Sequence, residues 1–226
     1  MKLRMIARRS FGFTLIEMAM VLGAAAIVAA GSMTLLNTSM TSTQATSDAA
    51  LLGQAREALV AFVINNRRLP CPDMDGTGVE GNCIVGDQNG YLPYIALGLA
   101  MPTGSATPLI RYAVYRDAKN ADLAAPLSTS GSLSGTLLAA GVVTDGRMEM
   151  MQALRWVGSQ SMSTSHPYIT TFGGSCATPA FGVAFAISMD QTQPVGGAGC
   201  MVNSTNQQTA WATAYDLLET LNRIAK

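Results

Sequence analysis

The sequence predicts an α+β chain in which a long N-terminal helical spine, transmembrane in its first half, packs on an antiparallel β-sheet domain. Three observations carry this prediction. Phe13–Leu36 is an apolar stretch without proline, its one charge is Glu17, and the next charged residue is Asp48. Further along, short segments alternate apolar with other residues at the period of two that half-buried strands show. Four cysteines fall into two local couples, Cys71 with Cys83 and Cys176 with Cys200.

The helix comes first in the chain. About twenty helical residues cross ~30 Å of hydrocarbon, and Phe13–Leu36 supplies that length. Ala, Leu and Met dominate it, while the hydroxyls of Thr14, Ser32 and Thr34 can bond back to the helix's own carbonyls. Lys2, Arg4, Arg8 and Arg9 precede it with no acid among them. The positive-inside rule then holds the N-terminus in the cytoplasm and exports everything after Leu36. Glu17 is the anomaly. A carboxylate within such a helix costs about 2.5–3.5 kcal/mol and calls for a compensating partner. Its short side chain reaches the headgroups less readily than a lysine would. A secretory signal cut near Ala29-Ala30 is a second reading, in which Glu17 sits poorly within the signal core. Both readings export the rest of the chain to where disulfides persist.

Gly12-Phe13-Thr14-Leu15-Ile16-Glu17, behind a short basic leader and ahead of an apolar helix, resembles the prepilin processing and methylation motif. That motif belongs to type IV pilins and type II secretion pseudopilins. The resemblance implies cleavage between Gly12 and Phe13 by prepilin peptidase, N-methylation of Phe13 and an assembly role for Glu17. It divides the chain into a prepilin leader (1–12), a long helix (13–66, with 13–36 as transmembrane segment or fibre core) and a disulfide-braced globular domain (67–226), a pilin-like arrangement. The physics of the cut agrees with the role. Cleavage leaves a cationic amine on Phe13, and in a dry bundle of helices the amine of a neighbouring subunit offsets the cost of Glu17. A slip of one turn separates the two charges, so Glu17 reads as a register device between subunits, with its own Phe13 amine as the weaker partner.

From Asn37 to Thr46 the chain is polar, uncharged and free of Gly and Pro. Leu52, Ala55, Leu59 and Phe62 then recur at helical spacing. One helix from Phe13 to Asn66 is the simplest reading, roughly 80 Å long at 1.5 Å per residue. Leu69-Pro70 and Cys71-Pro72 end it, because a residue before proline is pushed to extended geometry. The stretch Leu69–Leu99 also resembles a loop in a group of pilin-like proteins that links spine to sheet. Ile110, Tyr112 and Val114 alternate within a strand at Leu109–Tyr115. Ala118–Gly135 reads as a loop and Leu137–Val143 as a short strand. Asp145–Trp156 reads as a helix capped by Asp145, with Met148, Met151 and Leu154 on one side. Tyr168–Phe172 and Phe181–Met189 read as strands, the second with Phe181, Val183, Phe185, Ile187 and Met189 on one face. Trp211, Ala214, Leu218, Leu221 and Ile224 mark a helix over Thr209–Ile224, with Glu219 and Arg223 as an i,i+4 pair.

Between Cys71 and Cys83, carboxylates at Asp73, Asp75 and Glu80 alternate with glycines, and Asp87 follows. Calcium is held by six to eight oxygens of this kind, but the pattern departs from the EF-hand after Gly76. Asp/Gly turns whose side chains bond their own backbone are the plainer reading. The local couples Cys71–Cys83 and Cys176–Cys200 read as disulfides worth about 3 kcal/mol each, since neither has the C-x-x-C spacing of a zinc site. Enzyme chemistry finds little footing. His166 is the only histidine, no G-x-S-x-G surrounds a serine, and Gly196-Gly197-Ala198-Gly199 lacks a following Lys-Ser/Thr. Fourteen basic and fourteen acidic residues balance, but loss of the leader's four cations leaves a net charge of −4. No general grip on nucleic acid is expected from that charge. A DNA-uptake role would rest on Arg111, Arg116 and Lys119 alone. The expectation is a non-enzymatic structural subunit, a minor pilin of a type IV pilus or related fibre. Its expected partners are prepilin peptidase, other pilin subunits and the inner membrane, with the domain periplasmic before assembly and at the cell surface after it. The alternatives are a type II secretion pseudopilin and a signal-anchored periplasmic binding domain that does not polymerise.

Overall fold

The computed structural model describes residues 15–83, 87–102, 108–117, 119–125, 146–189, 199–202 and 208–224. The Gly12–Phe13 bond, the strand expected at Leu137–Val143, the cap expected at Asp145 and most of the loop expected at Ala118–Gly135 lie outside them. The chain divides into two units, Met1–Thr46 and Ser47–Lys226.

Helix α1 runs Leu15–Asn66. Its last turns present Leu52, Ala55, Leu59 and Val63, each at most 2% exposed, to the core of the second unit. Val63 takes the place expected for Phe62, whose half-buried ring lies under the Arg68 guanidinium instead. The helix stops at Arg67, which adopts a left-handed φ of 60° while its N–H still reaches the Val63 carbonyl. The expected helical spine with a transmembrane first half is corrected on two counts. Among the described residues no helix is long and apolar enough to cross a membrane. Among the described residues, moreover, the part of α1 that enters the core of the sheet domain is its closing turns, from Leu52 onward. The physical reason is sheet size: main-sheet strands of three or four residues offer a short platform.

The α+β class with an antiparallel sheet stands. The main sheet has the order β1 (Asn89–Tyr91), β2 (Arg111–Val114), β7 (Phe185–Ser188) and β9 (Thr209–Ala212), with every pair antiparallel. Between them in sequence lie β3 (Arg116–Asp117), paired with β4 (Ala121–Asp122), and helix α2 (Arg147–Ser159). A smaller sheet joins β6 (Pro179–Gly182), β5 (Tyr168–Thr170) and β8 (Cys200–Met201), in which β5 runs antiparallel to β6 and parallel to β8. Helix α3 (Ala214–Ile224) closes the described chain.

The central strands are buried on both faces, which is why the alternation they were expected to show disappears. Tyr112, Val114, Phe185 and Ile187 face the core shared with α1, α2 and α3. Ala113 and Ala186 face a second cluster with Ile169, Val183 and Met201 of the smaller sheet. Small residues on that face let the two sheets approach.

Two element boundaries and the buried face of one helix differ from the sequence reading. Phe181–Met189 is not one strand: the chain leaves the smaller sheet after Gly182 and enters the main one at Phe185. Val183 N–H donates to the Pro167 carbonyl and Ala184 N–H to that of Ala212. The Thr209–Ile224 helix begins only at Ala214, because Thr209–Ala212 pairs with Ser188–Phe185. Thr213 then caps it reciprocally with Asp216, each side chain accepting the other's backbone N–H at 3.2 and 2.8 Å. In α2 the buried face is Met150, Ala153, Leu154 and Val157, while Met148 is exposed.

Candidate functional site

Of the residues that the processing motif marks, Gly12 and Phe13 lie outside the described residues, and Glu17 is placed on α1 with only its backbone described. The side chains described beside it are informative. Leu15, Ile16, Met18, Met20 and Leu22 are 90, 66, 50, 69 and 65% exposed. At 100° per residue these positions spread over roughly 200° of the helix circumference. That apolar surface is wider than the roughly 100° stripe a helix buries against one wall.

Both cysteine couples are bridged as the sequence reading has them, Cys71 to Cys83 and Cys176 to Cys200. The first bridge closes the acidic loop, whose carboxylates are spoken for separately. Asp73, 1% exposed, accepts the N–H groups of Asp75, Gly76 and Gly78 at 3.1, 2.9 and 2.6 Å. Gly76 and Gly78 have φ near +75° and +80°, the turn that aims those donors inward. Burial pushes the Asp73 carboxyl up, against the pull of these donors. Asp75 caps Thr77, and the Thr77 hydroxyl draws the Asp75 carboxyl below its usual range. Glu80 receives the Arg68 guanidinium on both oxygens and the Cys71 N–H at 2.7 Å. Burial opposes its charge, yet Arg68 and that N–H together hold it below the usual carboxylate range. Among the described residues, the one group of three potential metal-binding side chains within 4.8 Å is Cys71, Glu80 and Cys83, whose sulfurs are joined to each other. Asp73, Asp75 and Glu80 form no such set. The loop is a backbone-capping device that locks the exit of α1.

The three cations a DNA-binding surface would need are dispersed in role. Arg111 and Arg116 are each 4% exposed. Arg111 lies 4.7 Å from the centre of the Tyr91 ring. Arg116 forks onto Asp122 at 2.8–3.0 Å and also donates to the Cys83 and Asp87 carbonyls. Lys119 is exposed.

A cavity of about 380 Å³ lies where the end of α2, the loop before β5, strand β6 and the start of α3 meet. Tyr115, Met162, His166, Phe181 and Tyr215 shape it. His166 stacks on Tyr115 with ring centres 4.2 Å apart, and Tyr115 meets Trp156 edge-on at 6.3 Å. Tyr215 lies over Gly158, where a β-carbon would stand 3.1 Å from its ring, and donates to the Gly158 carbonyl. Burial lowers the His166 imidazole below its ordinary value, against the pull of Asp117. The sequence weighs His166 only as a metal ligand or a catalytic base. Nothing in its neighbourhood signalled the cavity, whose walls come from four separate segments. Comparison with protein-family models, with characterised proteins and with solved structures finds no match to this chain.

Proposed function

We propose that the chain is a subunit of a type IV pilus or of the related secretion pseudopilus, matured by prepilin peptidase and joined to other subunits through its N-terminal segment. The observation that carries the reading is the run Gly12-Phe13-Thr14-Leu15-Ile16-Glu17 between a basic leader and an apolar stretch. The uncovered apolar side chains at Leu15, Ile16, Met20 and Leu22 support it, since packing against neighbouring subunits would bury them. The two disulfides support an extracytoplasmic site of action. The domain from Ser47 onward is then the part displayed on the filament.

Mass spectrometry of the protein from its native host tests the processing step. The expected mature chain begins at N-methylated Phe13, and a prepilin-peptidase deletion leaves the leader in place. A mature chain beginning at Met1, or near Gly31, overturns the reading and favours a signal-anchored or secreted domain.

A further inference from the structure

Gln88 fixes the chemistry of the cavity beside His166. Its Nε2 donates to the Ser165 carbonyl at 3.2 Å, which leaves its Oε1 facing His166 Nδ1 at 3.2 Å. An amide oxygen only accepts, so Nδ1 carries the proton, and in the neutral ring Nε2 is a bare acceptor. No described residue bonds to Nε2 or to the Tyr115 hydroxyl. None of the side chains around the cavity is Asp, Glu, Lys or Arg. The space is at the small end of ligand pockets, which run from about 300 Å³ upward; its walls are aromatic rings, Met162 and aliphatic surface, with the uncharged polar side chains of Gln160, Ser161, Ser163 and Thr213 among them.

We propose that this cavity binds an uncharged phenol-like group: one flat apolar ring whose hydroxyl donates to His166 Nε2 and accepts from Tyr115. A carboxylate would find no cation in the lining and would lose its hydration. A ring without a donor would fill the space but leave Nε2 unpaired. A free phenolic molecule and a tyrosine side chain of another polypeptide share this chemistry. The assignment stands apart from filament assembly, and either can fail without the other.

Calorimetric titration of the full chain with p-cresol, 4-methylanisole and N-acetyltyrosinamide tests it. Saturable one-to-one binding of p-cresol is expected, with 4-methylanisole, which lacks the donor, weaker by about five- to tenfold. Binding of N-acetyltyrosinamide as well identifies a chain-borne tyrosine as a fitting occupant, and its exclusion identifies a free phenol. Ring ¹⁵N shifts should move at Nε2 of His166 and not at Nδ1. Gly182→Leu provides a plug, because a β-carbon there meets only the Pro167 carbonyl oxygen, at 3.9 Å. Gly182→Leu should melt like wild type and bind p-cresol at least tenfold more weakly. Equal affinity for p-cresol and 4-methylanisole, no saturable binding, or unchanged binding in a folded Gly182→Leu protein would each overturn the proposal.

Discussion

The two ends of α1 are made of similar residues and live in opposite surroundings. At its trailing end Leu52, Ala55, Leu59 and Val63 are sealed against Tyr112, Phe185 and the other core residues. At its leading end Leu15, Ile16, Met20 and Leu22 are exposed. The first set falls within about 80° of the helix circumference and the second spreads over about 160°, twice the width. A stripe needs one wall, which the sheet provides. The wider, exposed face calls for a further surface to bury it.

The largest effects should therefore separate by end. Leu59→Ala leaves a cavity in the core and should destabilise the domain by about 2–5 kcal/mol, as chemical denaturation would show. Ile16→Ala should leave that stability within about 0.5 kcal/mol, as surface changes do, and yet reduce recovery in sheared filaments. Equal loss of stability at both ends would break the contrast. A smaller effect is expected where the trailing end is fastened. Glu80→Gln removes the charge that receives Arg68 and should cost about 1 kcal/mol, the pair being partly solvated. Because Glu80 titrates below its usual range in the fold, its contribution is complete above the unfolded carboxylate's pKa and is lost as pH falls through the folded one. Wild type minus Glu80→Gln stability should shrink on acidification; a difference that grows would contradict the pairing. The smallest effect belongs to Arg67, whose left-handed φ suits glycine. Arg67→Gly relieves that backbone at the loss of a 2.5 Å bond from its guanidinium to the Ile64 carbonyl, so a thermal melt should move by only a few degrees, upward.

What was legible in the sequence follows the same division between local and distant causes. The end of α1 at Arg67-Arg68-Leu69-Pro70 and the two disulfide pairings depend on residues near one another in the chain, and both were readable. Strand partners are not local. The alternation from Phe181 to Met189 runs unbroken across Val183-Ala184, where the chain changes sheets, so no pattern marks the join. Trp211 has helical spacing to Ala214 and Leu218, but pairing with Ala186 across the sheet overrides it. The carboxylates of Asp73, Asp75 and Glu80 looked alike on paper; only the fold shows that one caps a turn, one caps its neighbour and one answers Arg68. The His166 cavity needed Gln88, Tyr115, Phe181 and Tyr215 brought together, and no motif encodes that meeting.

The central claim is that other subunits cover the leading end of α1 and that Glu17 sets their register. Glu17→Leu in the native host tests it most directly, by comparing the processed protein in whole cells with that in sheared filaments. The account predicts a stable, correctly processed chain that is missing from the filaments. Normal incorporation of Glu17→Leu would contradict it.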